Sequence, residues 1–457
     1  LLNYTYMQSR RHFIKQSLAV SLGFGGLANY ISYGQAINNP LTNQDQSNWL
    51  QLPPGFQAKV ISRMGEKMAD GFLLPGRADG MAAFPVGSKV VVVRNHENSP
   101  GDLPASPFGA DLGLLKNLRQ ELVYDFGFGK RPSLGGTTTF IFDEDRQQIE
   151  KQFLSLAGTN RNCAGGPTPW NSWITCEEDT TNRGEMAAAH HGYNFEVPAG
   201  ETKLVAPLPL KAMGRFNHEA VCVDPRTGIV YQTEDRGDGL IYRFIPEKPG
   251  HLAQGGRLEA LAIRGEKSFD TRNWTNTNFA VGQSLEVEWI PLLDVDTPAD
   301  DLRLRGAAAG AAVFARGEGM WFGNNEVYFA CTNGGTRKAG QVFKYVPAAA
   351  EARAGEKSAP GKLTLFAEPN DKEILKYCDN LTVAPWGDVV FVEDSNDACL
   401  RGITPAGVIY TIGRNIGSSS ELAGVCFSPS GKTLFVNIQD QGLTYAITGP
   451  WATLRKS

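Results

Sequence analysis

Beyond residue 36 the chain has few long runs with apolar residues at every third or fourth position. It alternates apolar and polar residues in short stretches cut by Gly, Pro, Asn and Asp, as half-buried strands joined by tight turns do. One unit recurs. In residues 214–235, Ala220 to Val223 form one strand, Asp224-Pro-Arg-Thr-Gly228 a turn and Ile229 to Thr233 the return strand. The result is a β-hairpin with Glu219 and Glu234 at its two ends, and folding about the turn brings those ends to one rim.

Five further copies follow the same plan, at residues 79–97, 162–179, 316–333, 378–394 and 422–439, the last without its acids. A further strand follows each hairpin. None of these units can bury both faces of its sheet alone, so the predicted fold is all-β, a β-propeller of six blades, with loop insertions at 98–134 and 251–315. Residues 348–361, rich in Ala, Glu and Lys, read as an exposed loop or short helix without chemistry of its own. No linker divides the chain, so residues 37–457 are expected to form a single domain.

Residues 1–36 read as an export signal. Met7, with residues 1–6 upstream of it, is followed by Ser9-Arg-Arg-His-Phe-Ile-Lys15, an uncharged apolar run over residues 17–33, and Gly34-Gln-Ala36. That order matches a twin-arginine signal with a small-residue cleavage site. The expected location is periplasmic or extracellular, with the twin-arginine export machinery as a partner. No later apolar run approaches the ~18 residues that span a bilayer, so stable membrane insertion after processing is not expected. The 44 Lys plus Arg nearly balance the 48 Asp plus Glu, which gives no electrostatic case for nucleic acid as a partner. A monomer is expected.

The hairpin ends carry the candidate chemistry. Leading and closing residues 14 or 15 apart pair Cys163 with Glu177, Glu219 with Glu234, Glu318 with Asn333 and Asp379 with Glu393. Channel-lining strands of a propeller run in one direction, so equivalent positions form a ring, here of carboxylates with one thiolate and one amide. Gathered carboxylates repel one another in a low-dielectric cleft unless protonated or bound to cations, so metal binding is expected. Carboxylate and amide oxygens suit calcium, whereas a thiolate suits iron or zinc. Glu178, Asp235 and Asp394 are second acids beside the ring. Arg316, two residues before Glu318 and on the same face of an extended strand, can point at an anion held by the metals. His96 and His218 each precede an acid, face away and read as structural. Of the seven cysteines, Cys176, Cys222, Cys331 and Cys426 lie in apolar strands as core residues, while Cys378 and Cys399 are open to pairing. The chain has no Gly-x-Ser-x-Gly elbow, phosphate-binding Gly-x-x-x-x-Gly-Lys loop, Arg-His-Gly signature or His-Glu-x-x-His helix, which leaves water or a metal-bridging oxygen as the nucleophile.

Taken together, Asn162-Cys-Ala-Gly-Gly166 with Thr168-Pro-Trp170 and Thr175-Cys-Glu-Glu178, Phe216-Asn-His-Glu-Ala220, Arg316-Gly-Glu318, and Asp379-Asn-Leu381 with Glu393-Asp394 resemble the PhoX-type alkaline phosphatases. The resemblance runs from about Asp79 to Gln439, and the export signal accords with it. It implies a β-propeller phosphomonoesterase that acts on small-molecule phosphate esters and depends on Fe3+, two ions with a bridging oxo group, and on several Ca2+. Carried over by residue, it implies Cys163, Glu219, Glu318 and Asp379 as iron-cluster ligands. Glu177 and the pair Glu393 and Asp394 fall on the calcium side, and Arg316 becomes a phosphate clamp; Glu234 stays a candidate ligand from its hairpin position. Two departures stand out: Arg316-Gly-Glu318 in place of the more usual Arg-Pro-Glu, and Thr233-Glu-Asp235 closing the third hairpin. The alternatives are a calcium-dependent propeller lactonase or esterase, which needs no thiolate, and a non-catalytic propeller binding module. Loss of activity in Cys163→Ala counts against the first, and bound iron with release of phosphate from an aryl ester excludes the second.

Overall fold

The structure, a computed structural model, describes residues 36–454 except 38, 45–48 and 185. All six predicted hairpins form, with leading strands Ala78–Val86, Asn162–Pro167, His218–Val223, Gly317–Gly323, Cys378–Val383 and Leu422–Phe427. These strands pack in a closed ring, each against the next and the sixth against the first. Small residues set the closeness of that ring. A Cβ on Gly166 would lie 1.8 Å from the carbonyl oxygen of Val221 in the neighbouring hairpin, so only glycine fits there.

Each hairpin continues outward through antiparallel partners, giving an all-β, propeller-like arrangement of five sheets among the described residues. The third and fourth hairpins share one nine-stranded sheet, because Ser284–Pro291 pairs with Lys362–Ala367 at the outer edge. The strand Gln57–Arg63 pairs with Leu443–Thr448, so an early segment closes the sheet of the sixth hairpin. Apolar cores lie between successive sheets. Tyr231, Leu261, Phe314, Phe329 and Phe343 fill the space between the third and fourth hairpins; Val390, Leu400, Val436 and Tyr445 fill that between the fifth and sixth.

Two expectations change here, and the open question of cysteine pairing is answered. The insertion at 251–315 is more than loop: it contributes the strands Gly256–Ile263 and Ser284–Pro291 and the helix Leu302–Ala309, which ends on Gly310 in the left-handed conformation. Residues 348–361 are not inert, since Glu351 is buried and accepts hydrogen bonds from Tyr231, Tyr345 and Arg243. The cause is Arg243, a buried guanidinium that draws in Glu259, Glu351 and Glu356 as counter-charges. All seven cysteines are buried and free, and Cys378 Sγ lies 3.3 Å from the Gln341 carbonyl oxygen instead of bonding Cys399. Apart from Ala36, the export signal lies outside the described residues. No helix among the described residues is long and apolar enough to cross a membrane.

Candidate metal centre

The site is built by a defect repeated in every hairpin. In the first, Ala78 lies opposite His96 but Met81 opposite Arg94, so two residues of the leading strand face one of its partner. The same slip separates Asn162 from Gly165, His218 from Val221, Gly317 from Met320, Cys378 from Leu381 and Ala423 from Cys426. Such bulges re-aim side chains at the rims of sheets. Here they turn Asp79, Cys163, Glu219, Glu318 and Asp379 into a single cavity of about 210 Å³. The sixth position is Gly424, at φ +65°, where a Cβ would meet the Asp79 carbonyl oxygen at 2.1 Å; no side chain fits, and the ring has five members.

A second ring lies above the first. Just ahead of each leading strand a carbonyl accepts the amide of the residue that leaves the return strand: Arg77 from Glu97, Arg161 from Glu178, Asn217 from Asp235, Arg316 from Thr332, Tyr377 from Asp394 and Glu421 from Gln439. Arg77, Arg161, Arg316 and Tyr377 adopt left-handed backbone, φ +45° to +56°, to make this turn. Glu97, Glu178, Asp235, Asp394, Glu421 and Gln439 thereby overhang the same cavity.

Ligand-type atoms within the cavity converge in three groups: Cys163 with Glu178 and Glu219, Glu219 with Glu318 and Asp379, and Asp79 with Glu97 and Glu421. Glu219 belongs to two of them, and the Cys163 thiol donates to Glu219 Oε2 at 2.8 Å. Burial first, and neighbouring negative charge second, push the carboxyls of Asp79, Glu219 and Asp379 and the Cys163 thiol well above their ordinary values, and burial followed by a hydrogen bond with Asp394 does the same to Glu421. Burial likewise raises Glu178 to about 8. Three guanidiniums answer part of this charge. Arg316 makes a fork onto Asp235, Nε to Oδ1 at 2.8 Å and Nη2 to Oδ2 at 2.9 Å, and reaches Glu318 at 3.0 Å. Arg161 pairs with Glu97 and Glu178, and Arg77 with Glu97. Among the described residues no ion pair reaches Asp79, Glu219, Asp379, Asp394 or Glu421. A buried thiol and carboxyls without ion-pair partners, gathered in one cavity, are a donor set that cations satisfy. The residues therefore fit metal ions: an oxygen-only set for a hard cation around Asp79, and a set including sulfur around Cys163.

Of the residues expected from sequence, the structure brings Cys163, Glu219, Glu318, Asp379, Asp394 and Arg316 to one cavity. It does not bring Glu177, Glu234 or Glu393 there. Each lies opposite the residue that precedes a bulge, Asn162, His218 or Cys378, and cross-strand partners share a face, here the one turned from the channel. The spacing of 14 or 15 stopped one residue short. Glu177 instead binds His191 at 2.6 Å and the amides of Asn160 and Gly192. Glu234 accepts from the Tyr242 hydroxyl at 2.6 Å, and Glu393 from Arg401 at 2.6 Å and the Cys399 amide. Asn333 misses in the opposite direction, one residue beyond Thr332, which holds the closing position of the fourth hairpin. Arg316 faces the cavity from left-handed, not extended, backbone. His96 and His218 are buried on backbone carbonyls away from the site.

Asp79, Glu97, Glu421, Arg77 and Arg161 were not anticipated. A signal for most of them was present: an arginine two residues before a ring member recurs as Arg77-Ala-Asp79, Arg161-Asn-Cys163 and Arg316-Gly-Glu318. Glu421 had none, since it stands one residue ahead of a hairpin that lacks acids within it.

No curated protein matches this chain by sequence. Solved structures resembling it include a gluconolactonase from Xanthomonas campestris, at 12% identity and TM-score 0.40 over 87% of this chain and 98% of that one. Another is a Bacteroides thetaiotaomicron protein of unknown function, at 11% identity and TM-score 0.45 over 86% of this chain and 76% of that one. At such values these likenesses say nothing of this chain's activity. The family described as alkaline phosphatase PhoX matches residues 37–127 and 137–442, most of the chain and the whole of the cavity, and the chain belongs to that family.

Proposed function

We propose that this protein is an exported phosphatase that hydrolyses small-molecule phosphate monoesters in a cavity holding iron and calcium. One observation carries the reading: three converging donor groups, two of them sharing Glu219, lie beside a fixed guanidinium in one buried cavity. In this reading the nine-stranded sheet is two blades joined at their outer edges, and the propeller has six. The chain acts as a monomer after twin-arginine export to the periplasm or beyond.

Cys163, Glu178 and Glu219 would hold one iron and Glu219, Glu318 and Asp379 the second, with Asp79, Glu97 and Glu421 on the calcium side. When bound, the cations supply Lewis-acid stabilisation of charge on the phosphoryl oxygens. The chain supplies the rest. Arg316 is held in one orientation by Asp235, with its side chain 33% exposed, so it offsets phosphoryl charge without reorganising. Burial of the surrounding carboxyls excludes bulk water and strengthens that interaction.

Purified protein is expected to contain iron and calcium by elemental analysis and to release phosphate from p-nitrophenyl phosphate. Arg316→Lys keeps the charge but loses the fork, and is expected to lower kcat on the order of 10²-fold with metal content retained. A metal-free preparation, or one that leaves aryl phosphates intact with iron and calcium bound, would sink the reading.

A further inference from the structure

A second concave site opens at the same end of the fold as the first. It is a groove of about 860 Å³, several times the volume of the metal cavity, formed by residues 336–338 and 370–373 with Tyr377. Both segments lie at the same end of the fold as the cavity: one follows the strand Glu326–Cys331, and the other precedes Cys378–Val383, which carries Asp379. The two loops are pinned together, since Asn370 Oδ1 accepts from the Arg337 amide at 3.1 Å and the Thr336 hydroxyl at 3.2 Å. Tyr377 joins groove to cavity, its carbonyl accepting the amide of Asp394.

Basic side chains outnumber acidic ones in the groove, three to two, and its shape is held. Arg337, Lys338 and Lys372 form no ion pair among the described residues, although Asp371 and Glu373 lie in the same wall. Asp371 is turned back on its own loop, where it accepts the Glu373 amide at 2.9 Å. Two of the cations rest on aromatic rings, Lys338 4.7 Å from the Trp274 centroid and Lys372 4.5 Å from that of Tyr377, and Lys372 also donates to the Tyr377 hydroxyl at 2.6 Å. Lys338, Asn370 and Tyr377 all have left-handed backbone, φ +49° to +55°. Strain of this kind persists where the surroundings fix it, as at ligand clamps.

We infer that this groove receives the leaving group of the substrate and selects monoesters whose leaving group carries a second anionic group, a phosphate or carboxylate, met by Arg337, Lys338 and Lys372. The inference rests on the phosphatase reading of the cavity. The cavity, about 210 Å³ and walled by ligand side chains, would hold the cations as well as the phosphoryl group, which leaves the remainder of an ester to lie outside it. The groove lies at the same end of the fold, one hydrogen bond from the cavity wall through Tyr377, and offers volume and three basic side chains. Cleavage itself is hydrolysis: water supplies the new P–O bond, the ester P–O bond breaks, and the leaving alcohol departs protonated into the groove.

The test compares fructose 1,6-bisphosphate with p-nitrophenyl phosphate, whose leaving group carries no second acid. In the double variant Arg337→Ala/Lys338→Ala of the full metal-loaded protein, kcat/KM for the bisphosphate is expected to fall about tenfold, through KM. The aryl phosphate and the metal content should change less than twofold. Arg337→Lys/Lys338→Arg, which keeps both charges, should restore most of the loss. Equal change for both substrates, or no change for either, overturns the groove assignment while the phosphatase reading stands. Failure of the unmodified protein to hydrolyse either ester overturns both.

Discussion

Glu219→Gln is expected to remove most of the bound metal and to lower phosphate release by at least about 10³-fold, the scale set by several kcal/mol of charge stabilisation. The substitution keeps shape and volume and exchanges one oxygen for an NH2. Yet Glu219 is the one side chain common to two donor groups, and it lies 2.8 Å from the Cys163 thiol. An amide there brings no negative charge and at best one acceptor, so both groups lose a ligand together. Stability should move the other way in metal-free protein. The Glu219 carboxyl is held well above its ordinary value by burial and by Glu318 and Asp379, so removing it relieves repulsion. Chelation is therefore expected to lower Tm strongly in the unmodified protein and far less in Glu219→Gln, because the variant has less bound metal to lose. Elemental analysis and thermal denaturation with and without chelator check this. A variant with full metal and full activity would show that the converging acids are not a metal centre.

The hairpins were legible because strand periodicity and turn chemistry are local. Asp224-Pro-Arg-Thr-Gly228 and the Pro-x-Gly turn before Lys89 state their turns outright, and the leading strands all form where alternation places them. The division into sheets was less legible. The contact between Ser284–Pro291 and Lys362–Ala367 joins segments about seventy residues apart, and nothing local in either announces the other. Buried counter-charges are hidden in the same way. Glu351 sits in a run of Ala, Glu and Lys that composition reads as solvated, and only the distant Arg243 explains its burial.

At the site, leading residues could be read and closing residues could not. The leading acids sit within the bulge itself, so the repeat aligns them whatever the pairing beyond. The closing residue depends on how many residues the bulge inserts, and an error of one reverses the face, since side chains alternate along a strand. That is why Glu178, Asp235 and Asp394 overhang the cavity while Glu177, Glu234 and Glu393 turn outward from it. Of the two paired acids closing the fifth hairpin, only Asp394 reaches the cavity. Gln439 holds the place of the missing acid in the sixth hairpin and donates to Asp79 at 2.6 Å and Glu97 at 3.0 Å, so its amide supplies hydrogen bonds where a further carboxylate would add repulsion.

Neighbouring substitutions at Glu177 and Glu178 are expected to separate folding from metal binding. Glu177 and His191 are both wholly buried, and His191 also contacts Asp125 at 3.1 Å. Burial alone would lower the His191 pKa, but the charge of Glu177 and the hydrogen bond to Asp125 outweigh it and raise His191 to about 10. Glu177→Gln leaves a buried cation short of its partner, and should cost about 3–5 kcal/mol of stability at neutral pH. Because the folded value lies above the unfolded one of about 6.5, folding binds a proton between these limits. The stabilisation is fully present below about pH 6.5 and is lost as pH rises towards 10, so the deficit of Glu177→Gln should shrink over that window. Glu178→Gln should behave oppositely. Its carboxyl faces the cavity beside Cys163 and Glu219, so the variant is expected to lose metal and activity by about 10- to 100-fold while metal-free protein melts as before or slightly higher. Denaturation curves across pH, set beside metal content, decide between the two roles. If Glu177→Gln lost metal but not stability, the hairpin end nearer the turn would be the ligand, and the geometry of the second ring would be wrong.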